Sequence, residues 1–201
     1  MKLIAADRAR LFAAVNTLER RSGRRRTAWW LLTGAPGSGK TTLARQFHDH
    51  GWRVIEDPGR AEFEAQIAQG FLPEAVRKDY LAFQRLVLRR ALSAVNEVPS
   101  AQRAVFDYGI AEALAFMRVS GIPWDDDIVN AAASVQFGSV FLLDLVPLDP
   151  LVDDPIRAES VSAREELLEL IEELYVALGH HPIRVPALPS DERFRWVLGH
   201  A

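Results

Sequence analysis

Residues 34–42, Gly34-Ala35-Pro36-Gly37-Ser38-Gly39-Lys40-Thr41-Thr42, hold the residue types and spacing with the plainest chemistry in this sequence. The first eight fit G-x-x-x-x-G-K-[ST], the pattern of a loop that wraps a phosphate chain. Glycines let the backbone curl so that successive N–H groups face an anion, and a following helix adds its positive end. Lys40 supplies a compact charge for the β- and γ-phosphates, a task to which a planar guanidinium is poorly suited. Only Lys2, Lys40 and Lys78 are lysines among 24 basic residues, so a lysine here stands out in an arginine-using chain. The Thr41 hydroxyl is the group expected to reach Mg²⁺. ATP and Mg²⁺ are the expected cofactors.

Carboxylates at the ends of apolar runs are the next chemistry. WRVIED ends in Glu56 and Asp57. Asp57 precedes Pro58 and a helical stretch, the pattern of an N-cap with Pro at the first helical position. Glu56 is then the strand-end carboxylate expected to take a proton from an acceptor hydroxyl. RAVFD ends in Asp107, expected beside the phosphate loop for Mg²⁺ or acceptor chemistry. Residues 145–158, LVPLDPLVDDPIRA, lack periodicity and carry Asp153, Asp154 and Arg157, with Arg164 on the next helix. Arg157 is expected on a lid that closes over the transferring phosphoryl group. The expected catalytic set is Lys40, Glu56, Asp107 and Arg157; the metal set is Thr41 and Asp107.

These groups need a scaffold, and the hydropathy pattern supplies one. Short apolar runs TAWWLLT (27–33), WRVIE (52–56), RAVFD (103–107), SVFLLD (139–144) and PIRVP (182–186) predict five strands covered on both faces. Helical spacing separates them over 39–50, 73–96, 109–119, 126–136 and 159–178. In the longest, Val76, Tyr80, Phe83, Val87, Ala91 and Ala94 keep one buried face. Alternating strands and helices predict a three-layer α/β/α fold on a parallel five-stranded sheet, with ligands beyond the strands' C-terminal ends. An amphipathic helix over 5–21 precedes it. The expected division is a helical N-terminal extension, 1–26, and a kinase-like nucleotide-binding P-loop domain, 27–201.

Composition narrows the class. The 201 residues are 49% hydrophobic and 25% charged, with a formal charge of −3, so no global field draws the chain to nucleic acid or anionic membrane. Cysteine is absent, which excludes disulfides and thiolate metal sites. Charges interrupt MKLIAADRARLF where a signal peptide needs its apolar core, and no run approaches transmembrane length. A cytoplasmic location is expected. No Asn/Thr-Lys-x-Asp motif marks a GTPase, and Asp107 is followed by Tyr108, not by the Glu of an AAA+ motor.

The stretches LLTGAPGSGKTTL, VIEDPGR, VFDYGIAEALAFMRVSGIP, DDPIR and VPALPSDERFRWVL resemble the small kinase-like P-loop AAA-domain family. That family is similar to the nicotinamide riboside kinase domain of NadR-type proteins and includes a eukaryotic GTP-binding trafficking protein. The resemblance runs from about residue 28 to the C-terminus. It implies an ATP-grasping loop at 34–42, Mg²⁺ near Thr41 and Asp107, a lid around Arg157 and an adenine-side loop near 186–190. The sequence departs from the family pattern at Tyr108, where Asp-Arg-Gly becomes Asp107-Tyr108-Gly109, and at Ala111-Glu112, where the family has Pro-Asp.

Two functions are carried forward. One is an ATP·Mg²⁺-dependent phosphotransferase acting on a small hydroxyl-bearing, nucleoside-like metabolite. The alternative is a nucleotide-dependent ATPase or binding module that engages a protein partner through the N-terminal extension. The cluster Arg20, Arg21, Arg24, Arg25 and Arg26 is expected to be a solvated or partner-binding surface about 20 Å from the phosphate loop. His48, His50, His180 and His181 are expected as cations near helix C-termini.

Overall fold

A computed structural model of the chain describes residues 2–72, 75–76, 79–146 and 161–200. Helix α1 (Ala5–Arg20) leads into β1 (Arg25–Arg26), β2 (Trp30–Thr33), α2 (Lys40–Asp49), β3 (Arg53–Ile55) and α3 (Pro58–Ala68). Then follow α4 (Tyr80–Glu97), β4 (Ala104–Phe106), α5 (Ala111–Val119), α6 (Asp126–Ser134), β5 (Val135–Gln136), β6 (Ser139–Leu143), α7 (Val161–Ala177), β7 (Ile183–Val185) and α8 (Ser190–Gly199).

The five predicted strands form one parallel sheet in the order β3-β4-β2-β6-β7. Side chains alternate across it, as the pleat requires. Leu31, Phe106, Val140 and Leu142 face a large core beneath α1, α4, α5, α6 and α7. Leu32, Val105, Phe141 and Leu143 face a smaller core with Leu43 and Phe47 of α2 and Phe194 and Val197 of α8. Both faces are covered, which is why the strands read as unbroken apolar runs. The chain leaves β2 toward β4 and β3 and later crosses to β6 and β7, so the end of β2 sits where the strand order reverses. Ligands of parallel sheets bind at such a point. The last two residues of the predicted 126–136 helix instead pair with Arg25–Arg26 as a short parallel ladder.

Residues 2–26 are packed into this body. Leu3, Leu11 and Val15 are buried in the larger core, and Arg118 of α5 pairs with Asp7 at 3.2 Å.

Arg20, Arg21 and Arg26 of the arginine cluster are exposed as expected, but Arg24 and Arg25 differ. Arg25 donates to Val95 O, Val98 O and Ser100 Oγ, each at 2.6 Å, while its guanidinium lies 4.7 Å from the Trp29 ring centre. It thereby satisfies carbonyls that the C-terminus of α4 cannot pair internally. Arg24 bonds Leu178 O and Glu19, and its side chain is only 5% exposed. A guanidinium's fixed fork suits such carbonyl clusters, so these two residues join elements and do not form an open basic surface. His180 also differs. Burial holds its pKa down, to about 4, with Arg24 adding repulsion, so it is neutral at pH 7 and not a helix cation. Among the described residues, no helix is long and apolar enough to cross a membrane.

Candidate active site at the phosphate loop

The loop between β2 and α2 is built by its glycines. Gly34 has φ +142°, and a Cβ there would lie 2.9 Å from Leu143 O, so only glycine lets the loop pass β6. Lys40 folds back on the loop, with Nζ donating to Gly34 O at 2.8 Å and Ala35 O at 3.1 Å. Ser38 is buried, and its Oγ has no hydrogen-bond partner.

Beside the loop, Thr41 Oγ1 donates to Asp107 Oδ2 at 2.7 Å. This contact exists because β4 lies next to β2, which the linear sequence alone does not show. Asp107 is 3% exposed, and burial pushes its carboxyl up to about 6. Thr41 and Lys40 pull it down, while Asp57 adds repulsion. Its other oxygen, Oδ1, is buried without a partner. A hydroxyl next to an orphaned carboxylate oxygen is the hard-oxygen pair that suits Mg²⁺, with the remaining positions left to water and phosphate. Among the described residues, no group of three or more His, Cys, Asp or Glu could hold a metal ion.

Because the folded carboxyl binds its proton more tightly than an exposed one, Asp107 favours folding most at low pH. That contribution falls as pH rises from about 3.8 through about 6. At neutral pH the ionised group costs about 3 kcal/mol at most. Asp107→Asn is therefore expected to stabilise the ligand-free protein by about 1–3 kcal/mol at pH 7.5, with little difference near pH 4. Urea unfolding at the two pH values checks this.

A cavity of about 260 Å³ opens from the loop. Gly34, Lys40, Thr41, Asp57, Arg60 and Tyr108 line its phosphate end, and α3, α4 and α5 enclose the rest. The two neighbouring carboxylates after β3 part company here. Asp57 lines the cavity, where burial raises its pKa against the backbone bond from Gly59 and the charge of Lys40. It also caps α3, accepting from Gly59 N at 2.8 Å and Arg60 N at 3.3 Å. Glu56 is exposed and borders a separate, smaller apolar cavity of about 60 Å³. The structure thus brings Asp57, not Glu56, to the phosphate site, because the cap turns the chain by one residue. Arg157 lies outside the described residues. Arg164 is buried against the loop, with Nε donating to Pro36 O at 2.8 Å.

Three neighbours of the site were not singled out from the sequence. Arg60 reaches the cavity from the first turn of α3, close enough for its charge to act on both Asp57 and Asp107. Glu112 is 1% exposed and accepts from Thr33 Oγ1 and from Tyr175 Oη, the latter at 2.6 Å. Burial raises its pKa against those two bonds. Arg193 donates to Ser38 O at 2.5 Å, Asp144 O at 2.6 Å and Pro186 O at 2.7 Å. It ties the loop at 186–189 to the phosphate loop. The E-R pair in SDERF was visible, but nothing local showed what its arginine would hold.

Gly109 explains part of the Asp-Tyr-Gly segment. A Cβ there would sit 1.9 Å from Tyr175 Oη and 2.9 Å from Glu112 Oε2. Gly109→Ala is expected to cost about 2–4 kcal/mol by displacing that buried pair. In thermal unfolding, adding Tyr175→Phe should return part of the loss, since it removes the atom struck first.

The residues that define this fold and site match the family model of an AAA domain over residues 29–193. The chain belongs to that AAA-domain family, in its small, kinase-like P-loop form. No curated protein matches the sequence. Among solved structures, the chain is similar to a deoxyadenosine kinase from M. mycoides bound to dCMP and dCDP. The TM-score is 0.62 at 16% identity, covering 86% of this chain and 97% of that one. It is also similar to thymidylate kinase from Candida albicans, with a TM-score of 0.52 at 13% identity, covering 87% and 91%. At these identities the likeness establishes the P-loop kinase fold.

Proposed function

We propose that this chain is an ATP·Mg²⁺-dependent phosphotransferase acting on a small hydroxyl-bearing metabolite. The observation that carries the reading is one cavity end lined by Lys40, Thr41 and Asp57, with Asp107 joined to it through the Thr41 hydroxyl. Lys40 exchanges its two loop carbonyls for the phosphates, and the loop amides hold the oxygens between them. Thr41 and the free oxygen of Asp107 hold Mg²⁺, which when bound offsets charge on the phosphate oxygens. Asp57 accepts the proton of the acceptor hydroxyl as its oxygen bonds to the γ-phosphorus and the bond to the β-phosphate oxygen breaks. Its raised pKa makes it a better base than an exposed aspartate.

Tyr108, standing where the resembling family has arginine, is the observation behind the alternative of a nucleotide-gated module. Arg60 weighs against that alternative, because it brings a guanidinium to the same wall. The packing of α1 also leaves its buried face committed to the core, which weighs against residues 1–26 as a free partner arm.

Phosphorus NMR with ATP, Mg²⁺ and a panel of nucleosides and sugars tests the reading. A new phosphomonoester resonance is expected, lost in Asp57→Asn and kept in Glu56→Gln. No phosphorylated acceptor and no acceptor-stimulated ADP release would overturn it.

A further inference from the structure

Gln84 is a polar residue on a face of α4 that should be apolar. Tyr80, Phe83, Gln84 and Val87 follow three-and-four spacing along the cavity wall, yet Gln84 is only 3% exposed. Its Oε1 is buried with no hydrogen-bond partner. An unpaired buried amide costs about 1–3 kcal/mol, and a leucine would fill the same position without that cost. The rings of Phe63 and Phe116 line the same cavity.

The location separates this wall from the far side of the phosphate loop. Asp57 and Asp107, after β3 and β4, stand on its side of the central strand. Arg193 and the 186–189 loop flank the phosphate loop from the β6 and β7 side. A molecule seated against Gln84 therefore approaches the phosphate end of the cavity past Asp57 and Tyr108, from the acceptor direction.

A carboxamide presents a donor and an acceptor side by side, matching the edge of a heterocycle that carries the same pair in reverse. Flat rings favour aromatic and apolar walls with few fixed polar groups. We propose that this wall receives a nucleobase, read at its hydrogen-bonding edge by Gln84, so that the acceptor is a nucleoside. The proposal rests on the phosphotransferase reading for the direction of approach, but base binding itself can be measured without turnover.

The test is calorimetry of the full chain with adenosine, cytidine, thymidine and guanosine, and separately with Mg²⁺·pyrophosphate as a base-free probe of the phosphate loop. At least one nucleoside is expected to bind, while free ribose does not. Gln84→Leu should weaken that nucleoside tenfold or more, leave pyrophosphate within twofold, and not lower the melting temperature, since it removes an orphaned amide. Gln84→Glu keeps the shape but replaces the donor with an acceptor, so it should change the ranking of the bases. Nucleoside affinity unchanged in Gln84→Leu, or no nucleoside bound at all, overturns the proposal. Pyrophosphate failing to bind while a nucleoside binds through Gln84 would sink the phosphate-loop reading and leave this one standing.

Discussion

Lys40→Ala is expected to weaken ATP·Mg²⁺ binding by two orders of magnitude or more, while shifting the melting temperature by no more than about 3 °C. In the ligand-free protein Nζ rests on two carbonyls of its own loop, Gly34 O and Ala35 O. Exchanging them for two phosphates makes two charge-assisted bonds, worth about 1.5–3 kcal/mol each. Losing both gives the predicted fall in affinity. Stability should change little, because the site is partly open and water can reach the freed carbonyls. Lys40→Arg should not restore binding, since the broader guanidinium does not fit a pocket shaped for an ammonium. Calorimetric titration with unfolding curves checks both halves; unchanged affinity would overturn the phosphate-loop assignment.

Arg193→Ala is expected to be the most destabilising of these substitutions, at about 3–5 kcal/mol, or roughly 10 °C in melting temperature. The side chain is 3% exposed and joins three segments distant in sequence: Ser38 of the phosphate loop, Asp144 after β6 and Pro186 after β7. Removing the side chain leaves the Ser38, Asp144 and Pro186 carbonyls without their donor. Arg193→Lys should recover only a minor part, because one ammonium cannot reach acceptors arranged for a fork. Pyrophosphate affinity should fall as well, because the Ser38 carbonyl lies inside the loop that wraps the phosphates. Thermal unfolding with pyrophosphate titration separates the two effects.

The phosphate loop was legible because its chemistry is contiguous: nine neighbouring residues supply amides, charge and hydroxyl, with one strand before and one helix after. The parallel sheet was legible for a related reason. Strands buried on both faces must be apolar at every position, and that pattern survives in the sequence without knowledge of partners.

Other features depended on residues far apart in the chain. Glu56 and Asp57 are adjacent and chemically alike, and the N-cap geometry that turns Asp57 inward is what separates them. Arg24 and Arg25 read as surface cations and Arg193 only as part of a motif, yet each closes on carbonyls from other elements, 155 positions away in the Arg193–Ser38 bond. Gln84 reads as one polar residue on a helix, and only burial without a partner marks it as a group awaiting a ligand. By itself the sequence determined the loop, the fold class and Asp107 beside them. Tertiary structure decided which carboxylate, which arginine and which amide face the cavity, because those choices are made by contacts that no local spacing encodes.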